Sequence, residues 1–169
     1  MNPECPQFDE QADKPMELRA HHLFTLSRLH FLGAHKSEFR ENLFRNLKSL
    51  QFKLIGRGEG QQFADHLVDT VLSILKEQVG TVKLTDTYDE VCKKCPQKGN
   101  ANCRVADREW SENFLSMVDQ AVIRNTNGVL EMGKEYPPAY LIENMGVIRS
   151  AMRKALLELP GIWSVDKKL

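Results

Sequence analysis

Three cysteines within twelve residues, in the stretch VCKKCPQKGNANC, constrain this chain more than any other feature. The C-x2-C of Cys92 and Cys95 puts two thiols on one turn, both within reach of one ion. Gly99 and Asn100 then permit a tight return that brings Cys103 to the same point. Three soft thiolates suit a zinc ion or an iron–sulfur cluster and leave one ligand to come from elsewhere. The segment is rich in Gly, Asn, Pro and Lys and has no apolar periodicity, so three idle or core-buried thiols explain it less well. Lys93, Lys94, Lys98 and Arg104 surround the sulfurs and favour the thiolate form. The fourth cysteine, Cys5, stands apart in the N-terminal segment.

Composition narrows the setting for that cluster. A 169-residue chain hides enough surface to form a core without crosslinks, so a disulfide framework is not needed for stability. Lys plus Arg, 23, equals Asp plus Glu, 23, which removes the overall electrostatic case for nucleic-acid or membrane binding. No apolar run approaches the ~20 residues that span a bilayer. The opening MNPECPQFDEQADKP is polar and acidic and resembles neither a signal nor a transit peptide. A cytoplasmic location is expected, with an unidentified protein or redox partner and neither membrane nor nucleic acid as ligand.

The patterning predicts a mainly α fold, α+β with a minor two-stranded element. Residues 1–15 read as a flexible tail, 16–160 as a single helical metal-binding domain and 161–169 as a C-terminal tail. A first helix is expected from Met16 to Leu32, with Leu18, Leu26, Leu29 and Leu32 on one face and Gly33 as its stop. A second runs from an N-cap at Ser37 through Phe39, Leu43, Leu47, Leu50 and Leu54 to Gly56. After the loop RGEG, a third carries Phe63, Leu67, Val71, Leu72 and Leu75 and closes near Gly80. Thr81–Thr85 alternates and is β-branched, which predicts a short strand. A fourth helix is expected from Val105 to about Ile123, burying Trp110, Phe114, Val118 and Ala121 and ending at Asn127-Gly128. Residues 129–136 are ambiguous and include a candidate strand partner for Thr81–Thr85. Pro137-Pro138 opens a long last helix with the stripe Leu141, Met145, Ile148, Met152 and Leu156, stopped by Pro160-Gly161.

The missing ligand has a candidate in the first helix. At 100° per residue, His22 falls inside the arc of Leu18, Leu26 and Leu29, whereas His21 lies at its edge. An inward histidine by itself is most simply a hydrogen-bonded core residue. Beside a three-thiolate loop lacking one donor, His22 or His21 completes a site of three cysteines and one histidine. His30, His35 and His66 sit in polar sequence and are expected to be solvated.

The block Leu18-Arg19-Ala20-His21-His22-Leu23-Phe24, followed by a strand, Asp89, Cys92-Lys93-Lys94-Cys95-Pro96 and Cys103, resembles a small bacterial and archaeal family. That family is domain of unknown function twelve-eighty-four, whose members are sometimes labelled iron–sulfur-binding. The similarity covers roughly residues 17–125. It implies an iron–sulfur centre, whereas the residues themselves lean toward zinc. Where the family pattern has its first cysteine this chain has Thr25, so a histidine, Asp89, Cys5 or water must take that place.

Three functions fit these residues. One is a metal-centred binding or electron-transfer module. The second is a small metalloenzyme with an open coordination position, using acid–base groups among His21, Asp86, Asp89, Glu90 and Asp107 and Arg19 for an anion. For the stretch 86–90 a solvated turn, and for Arg19 a surface position, are the simpler expectations. The third is a helical regulatory or interaction protein with a structural zinc, contacting its partner through Arg149, Arg153 and Lys154. No G-x-S-x-G, phosphate loop, dinucleotide motif or H-E-x-x-H is present.

Overall fold

The computed structural model describes residues 14–54, 59–95, 102–105 and 108–159, with side chains of 102–105 and 108–112 excepted. Two small sheets and six α-helices are found among these residues. The first sheet has strand order β1-β2-β5, from Met16–Arg19, Val82–Thr85 and Glu135–Tyr136. β1 and β2 run parallel in the register Met16↔Val82, Glu17↔Lys83, Leu18↔Leu84 and Arg19↔Thr85, and β5 pairs antiparallel with β2. The second sheet is a hairpin of β3 (Asn102–Val105) and β4 (Arg108–Ser111).

The expected first helix is therefore divided. Met16–Arg19 is a strand, Ala20–His22 a 3₁₀ turn, and α1 spans only Leu23–Leu32. Tertiary pairing overrides the helical period here. In β1, Leu18 is buried opposite Leu84, and Glu17 lies 3.9 Å from Lys83 across the strand pair. Gly33 ends α1 as expected, at φ 62° in the left-handed region.

α2 (Glu38–Leu54) and α3 (Gly60–Leu75) pack against one another. Their approach is close enough that a Cβ on Gly60 would lie 3.0 Å from both Phe52 Cβ and the Ser49 carbonyl oxygen. Arg45 of α2 bridges Glu41 and Asp69, each at 2.5 Å. α3 buries Phe63, Leu67, Val71, Leu72 and Leu75 as its period predicts.

α4 is shorter than expected, Glu112–Arg124, because Asn102–Val105 and Arg108–Ser111 pair as strands instead. Trp110 is a strand residue opposite Cys103. Leu115, Val118, Ala121 and Val122 are buried, and Asn127 and Gly128, both at positive φ, turn the chain. The last helix is two: α5 (Pro138–Glu143) and α6 (Met145–Glu158), separated at Asn144. Of its stripe Leu141, Met145, Ile148 and Met152 are buried and Leu156 is half-buried. Gly56, Pro160-Gly161, most of the N-terminal tail and the whole C-terminal tail lie outside the described residues. No helix among the described residues is long and apolar enough to cross a membrane.

Candidate metal centre and its buried polar cluster

The strand-to-turn transition at Arg19 decides the site. An extended strand running straight into a 3₁₀ turn projects Arg19, His21 and His22, within four residues, into the space between β2's exit and α4. Two carboxylates receive them. Asp89, 1% exposed, accepts the Arg19 backbone N–H on Oδ2 at 2.7 Å and lies 2.6 Å from His22 Nδ1 through the same oxygen. Its Oδ1 accepts the Cys92 backbone N–H at 2.8 Å, at the start of the 3₁₀ turn Cys92–Lys94. Asp119 of α4, fully buried, takes Arg19 Nε on Oδ2 at 2.9 Å. On Oδ1 it takes the His21 backbone N–H at 2.8 Å and His21 Nδ1 at 2.9 Å.

An ionised carboxylate can only accept, so Nδ1 of each histidine carries the proton. In the neutral imidazole this leaves the lone pair at Nε2. The two rings lie side by side, centroids 4.2 Å apart. An imidazole held by a carboxylate at one nitrogen and open at the other is the arrangement that orients metal-bound or proton-transferring histidines. Electrostatics follow from burial and pairing. Burial lowers the His21 pKa, as does the neighbouring His22, and both outweigh the opposing Asp119. Burial raises the carboxyl pKa of Asp89, yet His22, by charge and hydrogen bond, and the Arg19 N–H bring it well below the usual range. Asp119 behaves alike: burial raises it, and His21 and Arg19 bring it down. The Cys92 thiol is pushed up by burial and by the adjacent Asp89 carboxylate, to which it is hydrogen-bonded.

Several expectations change. Asp89 is buried at the site rather than part of a solvated turn, and Arg19 is 1% exposed rather than a surface residue. His66 hydrogen-bonds the Glu90 carbonyl at 2.7 Å, and His30 stacks on His35 at 5.6 Å, so these three are partnered rather than merely solvated. Asp86 accepts from Ser116 at 2.9 Å. Thr25 is buried on α1. Asp119 was not among the residues singled out from sequence, although a signal existed. It stands on the apolar face of α4 between Leu115 and Val122, where a carboxylate is out of place without a cationic partner.

The structure brings Cys92 to the cluster through Asp89, and the Cys95 N–H closes the turn onto the Cys92 carbonyl at 3.1 Å. Neither thiol is in a disulfide. Among the described residues no three His, Cys, Asp or Glu side chains form a preassembled metal cage. Cys103 is described through its strand backbone alone, so convergence of the third thiol lies outside the described residues, as do Cys5, Gly99, Asn100 and Asp107. The cations Arg149 and Arg153 line a separate groove of about 140 Å3 between α1 and α6, with Arg28, Phe24 and Phe31. Arg149 stacks on Phe31 at 4.2 Å.

A family model described as "Protein of unknown function (DUF1284)" matches residues 58–155. The chain belongs to this family. The match runs from just before α3 into α6, so it includes Asp89, the cysteine segment, Asp119 and α6 as far as Ala155, while Arg19, His21 and His22 precede it. No curated protein and no solved structure matches the chain.

Proposed function

We propose that this DUF1284 protein holds a metal centre, a zinc ion or an iron–sulfur cluster, where the Ala20–His22 turn meets the Cys92–Lys94 turn. Cys92, Cys95 and Cys103 supply thiolates and His22 the imidazole, with His21 as the alternative histidine. The observation that carries this reading is the shared carboxylate. Asp89 bonds His22 through one oxygen and the Cys92 backbone through the other, joining segments 70 residues apart. The donor set fits: soft sulfurs with a borderline imidazole, the latter fixed by a carboxylate in the manner of metal-bound histidines. Bound there, zinc would supply a crosslink or a Lewis acid, and a cluster would carry single electrons.

Elemental analysis and visible absorption of anaerobically purified protein test this directly. A brown solution identifies a cluster, and stoichiometric colourless zinc identifies the ion. Cys92→Ser, Cys95→Ser, Cys103→Ser and His22→Ala should each lose metal. Protein that stays metal-free after reconstitution with iron and sulfide, or with zinc, overturns the reading, and so does a Cys92→Ser variant with full metal content.

A second reading, a metalloenzyme with an open coordination position, draws on the His21–Asp119 pair. That pair duplicates the His22–Asp89 arrangement 4.2 Å away and would serve as a proton acceptor beside the centre. Azide or cyanide should then perturb the metal spectrum, and a closed four-ligand site would ignore both.

A further inference from the structure

The face of α2 that carries the longest apolar stripe in that helix points away from the core. Phe39 is 76% exposed, Leu43 48%, Leu47 56%, Leu50 53% and Leu54 75%. The helix is anchored instead by Phe44, Ser49 and Phe52, which centre on the opposite side of its axis from the stripe at about 100° per residue. The five side chains present on the order of 500 Å2 of apolar surface, near the top of the 300–600 Å2 that a monomer's largest patch reaches. Their spacing of four, four, three and four residues is that of a helix–helix seam.

We infer that this stripe is the interface between two copies of the chain, paired antiparallel through α2. The observation that selects a second copy is the near-palindrome of the seam. Reversed on itself about a point between Asn46 and Leu47, Phe39 meets Leu54, Leu43 meets Leu50 and Leu47 meets its own counterpart beside the axis. A two-fold interface requires such a self-complementary patch. Asn46 and Gln51 flank the seam and are uncharged, so no like charges are forced together at its centre. Antiparallel pairing also sets opposite helix-dipole ends side by side. Two stripes together bury ~1,000 Å2 before their flanks are added, against the 1,200–2,000 Å2 of a specific interface. The α2–α3 pair of one copy and that of the other would then form a four-helix layer.

Sedimentation, or light scattering after size exclusion, of the full chain at micromolar concentration tests this. The expected particle has twice the 19.4 kDa chain mass. Leu47→Glu places two carboxylates against each other beside the axis and should halve the mass with the circular dichroism spectrum unchanged, since Leu47 contributes little to its own chain's core. Leu157→Glu, at a residue 82% exposed on α6, should leave the doubled mass intact. A wild-type particle of single-chain mass overturns the inference, including one whose stripe captures lipid vesicles or another protein. A doubled mass that survives Leu47→Glu, or that Leu157→Glu also abolishes, overturns it equally. These outcomes are independent of whether a metal is bound.

Discussion

Asp119 and Leu47 both sit in the middle of amphipathic helices, yet the carboxylate of α4 is fully buried and the leucine of α2 is more than half exposed. The contrast extends to their surroundings. Around Asp119, polar groups that ordinarily face water are gathered inside and matched by partners: Arg19, His21, His22 and Asp89. On α2, groups that ordinarily fill a core are left outside, and the core side of the helix is held by two phenylalanines and an arginine network. The inner departure from ordinary burial draws its carboxylate and imidazole partners from within the chain. The outer one calls for something beyond it. Local stability is therefore expected to concentrate in the polar cluster, and association in the apolar face.

The largest effect that could break this contrast is Asp119→Ala. It strips the buried Arg19 guanidinium and His21 of their carboxylate, and denaturant unfolding should show a loss of about 3–5 kcal/mol. A loss below ~1 kcal/mol would mean that the cluster is not what holds the β1 exit to α4. Asp89→Asn keeps the shape but turns an amide N–H toward groups that themselves donate. A cost of about 2 kcal/mol is expected, and where metal is bound its affinity should fall by about 10–100-fold.

Lys48, on the buried flank of α2, sharpens the comparison from the other side. Burial, with Arg28 nearby, lowers its pKa from 10.5 to about 8. The folded chain then holds this proton less tightly than the unfolded one, so stability is reduced below pH 8 and recovers as pH rises through 10.5. Lys48→Met should raise Tm by roughly 2 °C at pH 7, with the gain vanishing above pH 10.5. Glu41 has the opposite sign. Its hydrogen bond from Arg45 is the main cause of its lowered pKa, so its contribution is present above its ordinary 4.5 and fades as pH falls through the folded value. Glu41→Gln should cost ~0.5 kcal/mol at pH 7, and the difference should disappear in acid. The smallest effect is expected from Leu50→Ser, within ~0.5 kcal/mol in protein diluted to single copies. A cost above ~2 kcal/mol would show that the α2 face is covered by its own chain.

Much of the helical frame was legible, because side-chain periodicity reports helicity directly. The stripe Leu141 to Met152 and the α3 pattern were found buried as read. The failures differ in cause. Met16–Arg19 became a strand because Val82–Thr85, distant in the chain, pairs with it, whereas Arg108–Ser111 was drawn out of the expected helix by pairing with its near neighbour Asn102–Val105. The break at Asn144 likewise has no signature beyond a residue that tolerates helix ends.

At the site, His21 and His22 were recognisable because two histidines beside a buried leucine stripe are unusual, and Asp89 because it precedes the cysteine turn. Their partnership was not recognisable. Nothing local says that Asp89 is buried rather than solvated, that Arg19 points inward, or that Asp119 closes the cluster. Residue types and spacings thus determined which side chains are able to bind metal, bear charge or form helices, since these are properties of each residue and its near neighbours. Which carboxylate meets which imidazole, and which of the two apolar faces of α2 is covered, was decided by the assembled fold. The first choice depends on contacts 67 and 98 residues apart along the chain and the second on the packing of α2 against α3, and no local periodicity encodes either.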